Sequence, residues 1–202
     1  MQALRIIGAG GHGRVVADVA FAMGYRDIAF LDTEYPDRKN NGAWPIWGTP
    51  SVKGPEQWFC AVGSNATRAH LFETLDLYDP PILIHPFSSV SPSARLGLGT
   101  LLVAGAVVNA NAQTGRGVIV NTGCSVDHDC VLDDFVHISP GARLAGNVQV
   151  GARSWIGIGA VVHEGVRIGS DVVVGAGAAV IDDIPDNTRV GGVPAQALKL
   201  RT

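Results

Sequence analysis

From Ile84 to Val180 an aliphatic side chain recurs at every sixth position, and Thr114 alone interrupts the column. Two residues before each aliphatic, from Ser88 onward, stands a small or β-branched residue, as at Ala106, Cys124, Cys130, Val136, Ala142 and Ala178. The residue after the aliphatic is often a turn former, as at Gly97, Asn109, Asn121, Asp127 and Gly157. A period of six marks a solenoid of short strands and tight corners, in which each coil buries its inward residues on the coil below. The frame makes the multiples of six, and the positions two before them, inward. No insertion shifts it, so a site on this stretch must use the outer faces and a neighbouring subunit.

The first part of the chain has a different rhythm. Residues 4–7 (LRII) read as a strand, Gly8 to Gly13 as a glycine loop, and Val15, Val16, Val19, Ala20 and Met23 as one face of a helix. Two further strands are expected, one ending at Asp32 and one at Gly63. Phosphate can approach the backbone N–H groups of such a loop, and ligands sit beyond the carboxyl ends of parallel strands. Fewer than 85 residues precede the solenoid, which leaves room for one mononucleotide-binding half. Residues 33–58 are rich in Pro, Gly and Trp and read as an irregular connection with one short strand, with Trp44 and Trp47 as packing residues. The expected organisation is an α/β half-Rossmann unit (βαβαβ) over residues 1–83 and the solenoid over 84–202.

Composition narrows the partners. A net charge of −3 gives no basic footprint for nucleic acid or an anionic membrane. No apolar run reaches the length of a membrane span, and the expected location is cytoplasmic. The three cysteines, Cys60, Cys124 and Cys130, form no C-x-x-C pair and are read as packed thiols rather than a disulfide or zinc framework. A small-molecule substrate fits best, with no metal.

Candidate chemistry is densest between Val120 and Ile138, where Asp127 and Asp129 flank His128 and Asn121 and His137 lie nearby. The six-residue frame puts both histidines on the outside, on successive hexads flanking one corner. A neutral imidazole takes a proton from an attacking amine, and either flanking aspartate can orient it. Resemblance to the hexapeptide-repeat acyltransferases, with three hexads to a coil, places Gly146 one coil beyond His128, where its backbone N–H can stabilise a thioester oxyanion.

The hexads resemble the left-handed parallel β-helix of the hexapeptide-repeat acyltransferases, with three hexads to a coil. Together with GAGGHG at 8–13, FLD at 30–32, AVGSN at 61–65, IHP at 84–86, NTGCSVDHDC at 121–130 and GVPA at 192–195, the chain is similar to the bacterial nucleotide-sugar acetyltransferases. These include the UDP-bacillosamine pathway and perosamine N-acetyltransferases and the sialic-acid O-acetyltransferases. The resemblance implies acetyl-CoA as co-substrate, a homotrimer with sites between subunits, His128 as general base, His137 near the acetyl group, Asn121 beside them, and His12 reaching toward the sugar.

It also implies nucleotide contacts from Gly8, Gly10, Gly11, Gly13 and Asp32 and from Gly63 to Asn65, with Arg14 and Arg68 as phosphate partners. CoA is expected along backbone at Gly146, at Ile158, Gly159 and Ala160, and at Gly175, Ala176, Gly177 and Ala178. Arg153, Arg167, Lys199 and Arg201 are candidates for its phosphates. The expected reaction is N-acetylation at C4 of a UDP-linked 4-amino-4,6-dideoxy N-acetylated hexose, with GDP-perosamine or O-acetylation as alternatives. A γ-class carbonic anhydrase would need His128, His137 and His163 on zinc, and its H-x4-H pair is missing. A binding solenoid without catalysis is the other alternative.

Overall fold

The computed structural model describes residues 3–198, so Lys199 and Arg201 lie outside it. Its first part is a five-stranded sheet with strand order β3-β4-β2-β1-β5. The elements are β1 (Ala3–Ile7), α1 (Gly11–Ala22), β2 (Asp27–Leu31), β3 (Asn40–Asn41), β4 (Trp44–Gly48), β5 (Gln57–Cys60) and α2 (Asn65–Thr74). The central strand β1 runs parallel to β2 and β5, and its apolar residues are covered on both faces. Between β2 and β5, where a second crossover helix would complete βαβαβ, the chain forms the β3–β4 hairpin instead. Pro36, Pro45, Pro50 and Pro55 break any helical register there, and α2 follows β5. Trp44 packs into this unit, whereas Trp47 is largely exposed and stacks under the Arg5 guanidinium at 4.3 Å.

The rest is a left-handed parallel β-helix. Strands pair eighteen residues apart, giving three faces. Leu101, Ile119, His137, Trp155 and Val173 stack outward on the first. Val107, Ser125, Arg143, Val161 and Ala179 form the second, and Gln113, Val131, Gln149 and Arg167 the third. The inward columns form one continuous buried core. Thr114, the odd member, is tolerated because its hydroxyl accepts the Gly97 N–H at 3.1 Å and meets the Thr100 hydroxyl at 3.1 Å.

Each corner from Gly99 to Gly177 carries one left-handed residue, three to a coil. Between the second and third faces that place is taken by Asn111, Asp129, Asn147 and Gly165, with φ near +60 to +72°. Asn, Asp and Gly carry that conformation at least cost.

The first unit docks on the lower part of the first face. Leu83, Leu101, Val103 and Ile119 share a core with Leu4, Ile6, Val16 and Ala20. Helix α2 covers the corner between the third and first faces, where Phe72 meets Phe135 edge-on with ring centroids 5.0 Å apart. The upper part of the first face stays open above His137. Among the described residues, no helix is long and apolar enough to cross a membrane.

Candidate active site

His128 sits on the corner between the second and third faces. Its Nδ1 lies 2.9 Å from Asp129 Oδ2, and because a carboxylate only accepts, Nδ1 carries the proton and Nε2 keeps its lone pair. Asp127 does something else: its Oδ1 accepts the His128 backbone N–H at 2.7 Å. Of the two flanking acids, Asp129 therefore meets the ring and Asp127 holds the backbone. One coil earlier, Asn109 donates to Asp127 at 2.8 Å and Asn111 donates to Asp129 at 3.1 Å.

The Asp129 hydrogen bond raises the His128 pKa above 6.5; desolvation opposes it, and the negative charges of Asp127, Asp129 and Glu164 add to it. Gly146 lies directly over the ring. A Cβ there would sit 2.5 Å from His128 Cε1 and 2.6 Å from Nε2, so only glycine leaves the imidazole its place. The Gly146 N–H takes no backbone partner.

His137 begins a strand on the first face. It points outward, as the frame of six predicts, but it is buried rather than open, because the N-terminal unit covers it and Trp155 lies 4.3 Å from its ring. Asn121 Oδ1 accepts the Thr122 N–H at 2.8 Å, which turns its amide nitrogen toward His137 Nε2 at 3.1 Å. Nε2 is then an acceptor, and the proton sits on Nδ1, which is buried beside the Gly63 backbone without a well-formed hydrogen bond.

The His12 ring is 6.2 Å away, and its Nε2 is likewise buried and unpartnered. Burial, then the Arg68 charge, pushes the His12 pKa down to about 4. Burial, Arg68 and His12 push that of His137 down to about 3. Both rings are neutral at physiological pH.

The two histidines of the DHD and FVHI segments do not flank one corner. The Val131–Leu132 strand and the corner after it lie between them, so one chain holds His128 on one edge of the prism and His12, Asn121 and His137 on another.

In the glycine loop the glycines divide by role. Gly8 has φ +102°, and a Cβ on Gly13 would strike the Gly8 carbonyl, so these two allow the turn and the close packing of α1. Gly10 and Gly11, by contrast, have open space at the helix N-terminus. Asp32 Oδ2 accepts the Ala9 N–H at 2.5 Å, stapling the loop to the end of β2. Sequence reasoning missed Asn41, which is fully buried: it donates to the Gly10 carbonyl at 3.1 Å and accepts from Arg14 at 3.3 Å and Arg38 at 2.8 Å. Arg14 itself is exposed at the helix N-terminus.

Several expected ligand contacts are engaged elsewhere. Arg68 is buried and donates to the carbonyls of Val62, Gly63, Gly117 and Phe135 and to Asn65 Oδ1. It clamps the two units together and has no donor left for a phosphate. Asn65 is the other half of the clamp, donating to the Arg153 and Ser154 carbonyls. Gly63 stays open, with no atom within 4 Å of a Cβ position.

Arg153 pairs with Asp171 at 2.6 Å, and Arg167 lies on the third face beside Asp183 and Pro185. Ala160 and Ala178 face the core and bond their N–H groups to Gly157 and Gly175 carbonyls. Ile158, Gly159, Gly175, Ala176 and Gly177 do line the corner between the first and second faces. An open, largely apolar groove of about 500 Å³ runs there past Ser139, Trp155, Ile158 and Ala176. Among the described residues no group of three His, Cys, Asp or Glu side chains could hold a metal ion.

Residues 3–75 match the family model described as PglD N-terminal domain, and 147–182 that of the bacterial transferase hexapeptide. The chain is similar to the acetyltransferase domain of PglB from Neisseria gonorrhoeae FA1090 in complex with acetyl coenzyme A: 44% identity over 98% of this chain and 99% of that one, TM-score 0.93. It is 28% identical to the GDP-perosamine N-acetyltransferase of Escherichia coli O157:H7 over 98% of this chain and 97% of the relative. It is 38% identical to the UDP-N-acetylbacillosamine N-acetyltransferase of Bacillus subtilis over 52% of each chain.

Proposed function

The chain belongs to the hexapeptide-repeat family of acetyl-CoA-dependent amino-sugar N-acetyltransferases, and from that premise we propose that it acetylates the C4 amine of a UDP-linked 4-amino-4,6-dideoxy N-acetylated hexose. The observation that carries the chemistry is the His128 ring, with Nδ1 on Asp129 and the Nε2 lone pair free beside Gly146. Nε2 takes the proton as the sugar amine attacks the thioester carbonyl, and Asp129 stabilises the imidazolium that results. The Gly146 N–H is suited to the oxyanion, and collapse of the tetrahedral intermediate releases CoA thiolate.

His12 and His137, kept neutral by burial, suit hydrogen bonding to sugar or acyl groups rather than charge pairing. The glycine loop with Gly10, Gly11 and Arg14 suits the diphosphate. The apolar groove past Trp155 and Ile158 suits the pantetheine arm.

Because His128 and the His12–His137 pair stand on different edges of one prism, the reading requires a second copy of the chain, in a homotrimer, to bring them together. The exposed second face, with Ser125, Val161 and Ala179 outward, is a suitable contact surface.

GDP-perosamine is an equally supported substrate, since the perosamine relative matches over the whole chain. Turnover of acetyl-CoA with UDP- and GDP-linked 4-amino sugars side by side decides the nucleotide. Loss of turnover in His128→Ala is expected with either, and an unchanged rate sinks the mechanism.

A further inference from the structure

Asp129 is held from two sides: Asn111 reaches Oδ1 at 3.1 Å while His128 Nδ1 reaches Oδ2 at 2.9 Å. Stacking of an aspartate on the coil below recurs in this prism, with an asparagine beneath Asp127 and Asp129 and an arginine paired with Asp134 and Asp171. Arg116 holds Asp134 at 3.3 Å, and Arg153 holds Asp171 at 2.6 Å. In those corners a guanidinium neutralises the carboxylate. Beneath Asp129 a neutral amide fixes the carboxylate in place and leaves its charge for the imidazole.

We infer that Asn111 is a positioning residue for the general base: it holds Asp129 in the orientation that keeps Nδ1 of His128 protonated and Nε2 free, without cancelling the charge of the carboxylate. This rests on the reading of His128 as the base. Asn111 and Asp129 occupy the same left-handed corner place, with φ +60° and +58°, so their side chains leave the backbone in parallel one coil apart. The other groups facing His128 are Asp127, whose Oδ1 is tied to the backbone N–H and to Asn109, Glu164 two coils beyond, and the uncharged Gly146. None of them touches the carboxylate of Asp129. The hydrogen bond from Asn111 is also one of the causes that keep Asp129 ionised.

The test is Asn111→Gly, which deletes the amide and carries a positive φ without strain. Imidazole NMR of the unliganded protein is expected to show His128 titrating closer to 6.5 than in wild type. kcat is expected to fall on the order of tenfold, with both KM values within about twofold, since misorienting a reacting group acts on the transition state. In an Asp129→Asn background, Asn111→Gly is expected to add nothing further to either readout, because its effect passes through the missing carboxylate.

An unmoved titration with wild-type kcat, or effects that add fully to those of Asp129→Asn, overturns the positioning role. Failure of the underlying reading looks different: His128→Ala would then turn over normally. Loss of turnover in His128→Ala beside an inert Asn111→Gly leaves the base assigned and removes Asn111 alone.

Discussion

Gly146 stands one coil beyond His128 and over its ring, so close that a single added carbon would lie 2.5 Å from Cε1. Gly146→Ala must therefore turn the imidazole away, and turning it breaks the Asp129 contact. The ring is at the surface and free to move, so stability changes little. kcat is expected to fall about a hundredfold, comparable with other displaced acid–base groups, while the melting temperature stays within a few degrees. Steady-state kinetics and a thermal melt check this together.

The pH profile has a definite sign. The folded-state pKa of His128 is raised by Asp129, and the base works when neutral, so the acid limb of kcat/KM is expected above 6.5. In Asp129→Asn the main cause of the shift is gone. Its limb is expected to move down toward 6.5 with a lower plateau.

His12 and His137 act in the opposite direction on stability. Their folded pKa values of about 4 and about 3 lie below the unfolded value near 6.5. The unfolded chain then binds more protons as pH falls below 6.5, so stability is full above that pH and declines toward pH 4. Each ring contributes a loss on the order of 1 kcal/mol per pH unit in that window. Thermal melts between pH 7.5 and 5 should show the decline, and His137→Gln should flatten it.

Arg68 and Arg14 separate clamp from ligand contact. Arg68→Ala strands four carbonyls, those of Gly117 and Phe135 buried and those of Val62 and Gly63 part-buried, and a loss of roughly 3–5 kcal/mol is expected, or roughly 10 °C in melting temperature. Arg14→Ala, at the exposed N-terminus of α1, is expected to leave the melt alone and raise KM for the nucleotide sugar about tenfold, consistent with a lost charge-assisted phosphate contact. A raised KM with an unchanged melt for Arg68→Ala would reverse their roles.

The repeat of six by itself determined the inward columns, because a fixed side-chain count per hexad allows only one register, and the resemblance to the hexapeptide-repeat acyltransferases added three hexads to a coil and so the eighteen-residue stacking. Asn109 and Asn111 under the two aspartates, Gly146 over His128 and Trp155 over His137 are all legible from that number. The glycine loop was legible too, since only glycine meets the φ of Gly8 and the close packing of Gly13.

Tertiary structure decided what spacing along the chain cannot express. Asp127 and Asp129 are equivalent neighbours of His128 in sequence, and only the left-handed corner at Asp129 swings one carboxylate to the ring and leaves the other on the backbone. Asn65 and Arg68 sit in a ligand-like motif, yet docking of α2 on the prism consumes their donors. His137 points outward by period, but whether outward means solvent depends on what another part of the chain lays over it. Burial beside His12 and Arg68, a property of three distant segments meeting, is what makes it a neutral ring.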